Sequence, residues 1–148
     1  GREIGGSGTA VRGAAIVDSL FADWEFENTQ LRMADGSGLS RYDLVSPALL
    51  TELLLRMDRS FYRDDWLASM PVGGRDGTLE NRMKNPPLLD NVLAKTGSLS
   101  NVRALSGYLT TQTGERLAFS IIANGYLAPT AEVDRVVEAA LSLIATSR

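Results

Sequence analysis

The stretch "NVLAKTGSLSNVRALSGYLTTQTGERLAFSIIAN" at residues 91–124 decides the fold, because strand-like periodicity begins there. Residues 102–111 and 116–124 are two strand-like runs, and the "QTGE" that joins them contains Gly114, which suits a hairpin turn. We therefore predict that the two runs are antiparallel neighbours in one sheet. Residues 92–98 form a third predicted strand, which precedes them.

Helical patterns lie on both sides of this segment. Residues 10–24, "AVRGAAIVDSLFADW", carry apolar side chains at helical spacing, and Ser46 followed by Pro47 is an N-cap and first-turn signature for a second helix. Residues 128–148 read as a closing helix that we expect to pack on the sheet. Its predicted apolar stripe consists of Val133, Val136, Val137, Ala140, Leu141 and Ile144.

The remaining segments read mostly as short elements and loops. "QLRMA" at 30–34 is a short extended run, "DGSGLSRYDLVSP" at 35–47 is rich in turn residues, and "FYRDDWLASM" at 61–70 suits one or two helical turns. "PVGGRDGTL" at 71–79 must be a loop, which we interpret as structural, with Asp76 capping its turn. The element order is therefore helices, then three strands, then a helix.

Composition excludes several classes of function. The 148 residues fit one domain, 1–148, and the net charge of -3 with scattered arginines gives no basic stripe for nucleic acid. No apolar run is long enough to span a membrane, and the first residues lack the pattern of a signal peptide. The chain has no cysteine and no histidine, so acid/base work would fall to Lys, Asp, Glu or Tyr. The only lysines are Lys84 and Lys95.

Two further patterns do not indicate a binding or catalytic site. "GGSGTAVRG" suggests a dinucleotide fingerprint, but Val11 stands where a glycine is needed and no strand precedes it. The carboxylate pairs Asp64-Asp65 and Glu25-Glu27 lie beside no other motif, so we interpret them as solvated charges. For Asp35-Gly36-Ser37-Gly38, an Asx-type turn and a functional loop both remain open.

The Lys95-Thr96-Gly97 triplet on a strand, followed by Ser98 and a hairpin, resembles the third signature of penicillin-binding proteins and serine β-lactamases. Together with the segments 35–47, 70–79 and 104–124, it resembles the class C low-molecular-mass penicillin-binding proteins. These are serine peptidases of the S13 type, D-alanyl-D-alanine carboxypeptidases that also act as endopeptidases. The resemblance implies an α/β, DD-transpeptidase-like fold, with an antiparallel sheet flanked by helices.

The resemblance also implies roles for individual residues. Lys95 would place a positive charge near the catalytic hydroxyls and the substrate carboxylate, and the hydroxyls of Thr96 and Ser98 would bind that carboxylate. Gly97 would leave room for the substrate backbone, and the backbone N–H of Ser98 would be an oxyanion donor. Three further residues would line the substrate cleft: Leu39, Arg41 and Leu99. Arg41 suits a carboxylate on the third residue of the peptide, although an ordinary surface charge is an open alternative.

Two signatures of the family are absent from this sequence. A Ser-x-x-Lys motif would require serine at position 81 or 92, where Asn81 and Val92 stand, and no serine here begins a Ser-x-Asn motif. We therefore expect the chain to be the C-terminal part of a longer protein that holds the nucleophile, and to be inactive alone, with an incomplete fold. The resemblance implies no metal or organic cofactor, a bacterial periplasmic or cell-envelope location, and peptidoglycan stem peptides and β-lactams as partners. The alternatives are a β-lactamase or esterase of the same fold, and a non-catalytic peptide-binding module.

Overall fold

The structure is a computed structural model, which describes residues 2–26 and 31–147. These residues form two compact units, one up to Leu50 and the other from Thr51 onward. None of the helices in the described ranges combines the length and the apolar character that crossing a membrane requires.

The first unit contains two helices and a small sheet. Helix α1 spans Arg2–Gly5, and helix α2 spans Ala10–Asp23 as predicted, with the Thr9 hydroxyl accepting the Arg12 N–H at 3.2 Å. Strands β1 (Leu31–Arg32) and β2 (Leu44–Val45) pair antiparallel. The first residue of the predicted extended run 30–34 lies outside the described residues, and strand β2 falls in a segment that we predicted to be only a loop.

Helix α3, Pro47–Asp58, begins in the first unit and continues into the second. The predicted N-cap is confirmed, because the Ser46 hydroxyl accepts the Leu49 N–H at 3.0 Å. Leu49 and Leu54 of this helix are almost completely buried. A shorter helix, α4 (Arg63–Ala68), follows where one or two helical turns were expected.

The second unit is built on a three-stranded antiparallel sheet with the order β3-β4-β5. Its strands are β3 (Leu93–Leu99), β4 (Val102–Thr110) and β5 (Arg116–Asn124), each within one residue of the prediction. The hairpin between β4 and β5 turns at Gly114, whose φ of 84° is costly for most other residues. The three predicted strands of this sheet are therefore confirmed, and so is the antiparallel pairing of the last two.

Helix α5, Thr130–Ala145, covers one face of this sheet. Its buried residues Val137, Leu141 and Ala145 belong to one apolar cluster with Leu105, Leu109 and Phe119 of the sheet. The predicted stripe was too broad. Val136 is 70% exposed and Ile144 is 38% exposed, because the described sheet contacts only the narrow i, i+4 row of the helix.

The opposite face of the sheet packs against α3 and α4 through a second cluster that contains Leu54, Met70 and Tyr108. Hydrogen bonds strengthen this contact: the Tyr108 hydroxyl donates to the Leu54 carbonyl at 2.6 Å and accepts the Trp66 indole N–H at 3.0 Å. Burial in this cluster raises the pKa of Tyr108, and the hydrogen bond from Trp66 partly offsets that rise. The sheet is thus held between helices on both faces, and this arrangement fixes the position of strand β3.

Candidate functional site

The Lys-Thr-Gly triplet lies in the middle of β3, which is an edge strand of the described sheet. On its inner side β3 pairs with β4 along its whole length, with Lys95 opposite Ser106 and Gly97 opposite Ala104. Strand β4 is covered on both faces by the clusters described above, so it forms a rigid support for the triplet.

The first part of the outer edge of β3 is covered by the loop at 70–79. The Pro71 carbonyl accepts the Ala94 N–H at 3.0 Å, and the Gly73 N–H donates to the Val92 carbonyl at 2.8 Å. Val72 forms a single antiparallel bridge with Leu93. The pairing stops at Ala94, so the loop leaves the strand where the triplet begins.

The backbone of the triplet therefore offers hydrogen-bonding groups at this outer edge. In an antiparallel strand, alternate residues direct their N–H and C=O groups to the same side. Since Val92 and Ala94 direct theirs to the loop, Thr96 and Ser98 direct theirs outward beyond the end of that pairing. The Ser98 N–H thus has the direction that the predicted oxyanion donor needs, although its role as a donor stays a prediction.

The side chains of Lys95 and Thr96 extend on opposite faces of the strand. The Lys95 ammonium donates to the Thr96 carbonyl at 2.8 Å, next to the open edge. The Thr96 hydroxyl, which is on the face covered by α5, donates to the Thr78 hydroxyl at 3.0 Å. Lys95 and Thr78 are exposed and Thr96 is half-buried, so all three lie at the surface of the unit.

The sequence analysis missed Thr78. It lies in a single 3-10 turn, Gly77–Leu79, inside the loop that we interpreted as structural. That interpretation is supported for Asp76, whose carboxylate accepts the Val72 N–H at 2.8 Å and so closes the turn. No sequence pattern links Thr78 to Thr96, because their separation along the chain has no fixed period.

The remaining predicted residues of β3 contribute shape rather than charge. Ser98 is exposed and Leu99 is half-buried at the end of the strand. A Cβ atom added to Gly97 would lie 3.3 Å from the Cβ of Ala104, and no closer neighbour limits it. That separation is tighter than most Cβ contacts, so a side chain at Gly97 would require a small shift of Ala104, and a further limit from a bound ligand stays a prediction.

Behind the Ser98 end of β3, ion pairs join the sheet to α5. Arg103, the cross-strand partner of Ser98, forms two hydrogen bonds with the Asp134 carboxylate. Those hydrogen bonds raise the pKa of Arg103 above its already high ordinary value. Arg82 pairs with the same Asp134 at 3.1 Å and with Glu138 at 2.8 Å.

Leu39 and Arg41 lie in the first unit, apart in sequence from the triplet. Leu39 is 69% exposed and Arg41 is also exposed. The turn before them is an Asx turn, as one of the two open interpretations expected: the Asp35 carboxylate accepts the Ser37 N–H at 2.8 Å and the Ser37 hydroxyl at 2.6 Å. These hydrogen bonds lower the pKa of Asp35. The cleft-lining roles of Leu39 and Arg41 stay predictions.

Acidic side chains of the described ranges 2–26 and 31–147 form no group of three that could hold a metal ion. Of the predicted solvated pairs, Asp64 pairs with Arg63 while 93% exposed, which agrees with a solvated charge. Glu27 of the other pair lies outside the described residues.

Comparison with known proteins defines the class. Solved structures of penicillin-binding protein 4 (dacB) from Haemophilus influenzae share this fold: one matches 93% of the chain with a TM-score of 0.86 and 30% identity. A second structure of that protein, complexed with a novel β-lactam, covers 90% of the chain with a TM-score of 0.81 and 31% identity. The predicted α/β, DD-transpeptidase-like fold is therefore confirmed, and the chain covers 32% and 34% of those two chains.

The model of the D-Ala-D-Ala carboxypeptidase 3 (S13) family matches residues 1–147, so the chain belongs to that family. A D-alanyl-D-alanine carboxypeptidase of Actinomadura sp. (strain R39) is 40% identical over 134 residues. That match covers 87% of the chain and 25% of the relative, so the chain spans about a quarter of the relative's length. The resemblance inferred from the triplet and its neighbouring segments is confirmed at the level of the family.

Proposed function

We propose that this chain supplies one wall of the active site of a penicillin-binding serine D-alanyl-D-alanine carboxypeptidase that also acts as an endopeptidase. The observation that carries the proposal is the position of Lys95-Thr96-Gly97 on an edge strand. There the Lys95 ammonium donates to the Thr96 carbonyl, at the outer edge of β3 to which the Ser98 N–H is also directed. The substrate is a peptidoglycan stem peptide that ends in D-Ala-D-Ala, and the location is the bacterial periplasm or cell envelope.

The proposed reaction is acyl transfer through a serine that a Ser-x-x-Lys segment of the longer protein supplies. The serine oxygen attacks the carbonyl carbon of the penultimate D-Ala and forms an ester, while the C–N bond breaks and the terminal D-Ala leaves with the proton on its amine. Water then hydrolyses the ester, which releases the shortened peptide and restores the serine. The Ser98 N–H stabilises the oxyanion, and losing such a donor lowers turnover roughly 100- to 1,000-fold.

The triplet contributes binding and electrostatics to this reaction rather than the nucleophile. The Lys95 ammonium sits beside the strand edge, where it attracts the substrate carboxylate and stabilises the negative charge that develops on the reacting groups. Gly97 leaves the strand surface free, so that the substrate backbone can lie against β3 as an added strand. A β-lactam acylates the same serine when its ring amide bond opens, and the product remains attached as an ester.

A labelled penicillin tests the proposal. The longer protein, called here the full-length enzyme, should gain one acyl group per molecule by intact mass, and the 148-residue chain should gain none. An adduct on the 148-residue chain would show that the nucleophile is misplaced. A full-length enzyme that forms no adduct and cleaves no D-Ala-D-Ala peptide would favour the non-catalytic module. Rapid release of hydrolysed penicillin would favour the β-lactamase.

A further inference from the structure

The Thr78 hydroxyl is held beside the triplet by several contacts of its loop. Leu79, the next residue, is completely buried, and the Gly74 N–H donates to the Leu79 carbonyl at 3.0 Å. The loop is also paired to β3 through Pro71 and Gly73, as described above. Thr78 itself is exposed, so its side chain is placed by a fixed backbone while it faces solvent.

The hydrogen bond between Thr96 and Thr78 uses only one of the two hydroxyl protons. A hydroxyl has one O–H donor and two acceptor lone pairs. The Thr96 proton points to the Thr78 oxygen, so Thr96 has no second proton to give to a ligand. The proton of Thr78 has no protein acceptor among the residues that the structure describes. Polarisation along the pair makes that remaining proton a stronger donor.

We infer that Thr78 is a substrate-binding residue, whose O–H donates to the terminal carboxylate of the D-Ala-D-Ala peptide while Thr96 holds its oxygen in place. This inference rests on the proposed function. It assigns Thr78, a residue outside the triplet, to the anion contact, and it makes Thr96 partly a positioning residue. The Lys95 ammonium donates to the Thr96 carbonyl, and the Thr78 hydroxyl accepts from the Thr96 hydroxyl. The positive charge and the hydroxyl with the free proton are therefore both hydrogen-bonded to Thr96.

The test compares two peptides on the full-length enzyme. Both end in D-Ala-D-Ala; one has a free carboxylate and the other a C-terminal amide, and acylation is measured as kcat/KM. Thr78→Val removes the hydroxyl and keeps the shape, and Thr78→Ser keeps the hydroxyl. Thr78→Ala also removes the hydroxyl, so that an effect caused only by the valine side chain can be recognised. Thr113→Val is the matched control. It removes another threonine hydroxyl bonded to a threonine, Thr111, at 2.8 Å in the distant β4–β5 hairpin.

Thr78→Val and Thr78→Ala should lower kcat/KM for the carboxylate peptide by roughly 10- to 100-fold, as expected for a hydrogen bond to a charged group. The amide peptide, which we expect to be a poor substrate of the unmodified enzyme, should lose less than about 3-fold, so the preference for carboxylate over amide should collapse. Thr78→Ser and Thr113→Val should behave like the unmodified enzyme. If Thr78 had only a structural role, its substitution would lower kcat/KM for both peptides equally.

Each contrary result has a distinct meaning. If Thr78→Val retains the carboxylate preference of the unmodified enzyme, or lowers kcat/KM for both peptides alike, the inference about Thr78 is wrong and the proposed function stands. If the unmodified enzyme cleaves the two peptides equally well, the carboxylate contacts assigned to Thr78 and to the triplet are wrong. If it cleaves neither peptide, the proposed function fails, and the inference fails with it.

Discussion

Asp134 on α5 and Arg103 on β4 form a bidentate ion pair, with hydrogen bonds of 2.9 and 2.8 Å from the guanidinium to the two carboxylate oxygens. Their side chains are only 19% and 17% exposed. Arg103 is also the cross-strand partner of Ser98. The pair therefore ties the helix to the sheet directly behind the end of the strand that carries the triplet.

We expect Asp134→Asn to lower the free energy of unfolding by roughly 3 kcal/mol, because it leaves two largely buried guanidinium groups without their shared countercharge. Urea unfolding of the full-length enzyme measures this change. Glu132→Gln on the same helix is the control, since Glu132 and Arg135 pair at 3.7 Å while both are largely exposed. It should change stability by less than about 0.5 kcal/mol, and equal effects of the two substitutions would contradict a special role for the buried pair.

Tyr108→Phe should lower stability by roughly 1–3 kcal/mol, because it leaves the Leu54 carbonyl and the Trp66 indole without their partner. It should also change the response to alkaline pH. The pKa of Tyr108 is raised in the folded state, so the folded protein binds the proton more tightly than the unfolded one. The stabilising contribution is thus complete below the unfolded pKa of about 10 and is lost as the pH rises through the higher folded pKa.

Stability measured between pH 8 and pH 12 checks this expectation. Part of the alkaline loss of the unmodified protein should be missing in Tyr108→Phe. Tyr62→Phe, which removes a tyrosine hydroxyl from a residue 63% exposed, is the control for the loss of stability at pH 8. Identical pH profiles for Tyr108→Phe and the unmodified protein would show that this tyrosine does not contribute to the alkaline loss.

Substitution of Gly107 should lower stability, whereas substitution of Gly97 should lower the rate of acylation. A Cβ atom on Gly107 would collide with the Leu93 carbonyl oxygen and lie 2.6 Å from the Cα of Ala94, so Gly107→Ala should destabilise the fold by ~3 kcal/mol. Gly97→Ala meets only the Ala104 side chain and should change stability by less than ~1 kcal/mol. If the substrate backbone lies against Gly97, this variant should still lower acylation by about 10-fold or more, which corresponds to ~1.4 kcal/mol.

Unfolding and penicillin acylation, measured on the same two variants, separate these effects. Normal acylation by a stable Gly97→Ala enzyme would show that no ligand passes close to this residue. A Gly107→Ala enzyme as stable as the unmodified one would mean that β3 moves away at little cost.

Lys95→Ala should lower acylation by peptide and by penicillin alike, by a factor of about 100, which corresponds to ~2.7 kcal/mol of lost transition-state stabilisation. The fold should stay intact, because an exposed lysine on an edge strand contributes little packing. Lys84→Ala is a matched control: the Lys84 ammonium also donates one hydrogen bond of 2.8 Å, to the Asn81 side chain, but outside the triplet. Equal acylation rates for both variants and the unmodified enzyme would remove the basis for the function assigned to the triplet.

The elements that the sequence predicts well are those with a repeated pattern or a specific end signal. Ser46 and Pro47 mark the start of α3, and Gly114 marks the turn between two strands long enough to alternate. The two-residue strand β2 escaped prediction because Leu44–Val45 is too short for alternation to be visible. Its pairing with β1 depends on a contact distant in sequence, which no local pattern encodes.

The candidate site divides in the same way. The triplet is contiguous, so its motif can be read directly, whereas Thr78 joins it only because Pro71 and Gly73 pair with the start of β3. Burial on α5 was also mispredicted for Val136, since a helical apolar stripe does not reveal how wide a surface covers it. What the sequence could not provide is thus tertiary placement rather than local conformation.

The hydrogen bond from Trp66 to Tyr108, described above, places one tryptophan in the second unit, and the first unit contains the other. The chain contains two tryptophans. Trp24 lies among the rings of Phe21 and Phe26 in the first unit, with centroid separations of 6.2 and 5.8 Å, and Trp66 donates to Tyr108 in the second. Replacing either tryptophan of this chain by phenylalanine leaves a single tryptophan, whose emission, excited where tyrosine does not absorb, reports on one unit alone. Stopped-flow emission of the two variants would therefore time the loss of structure in each unit separately.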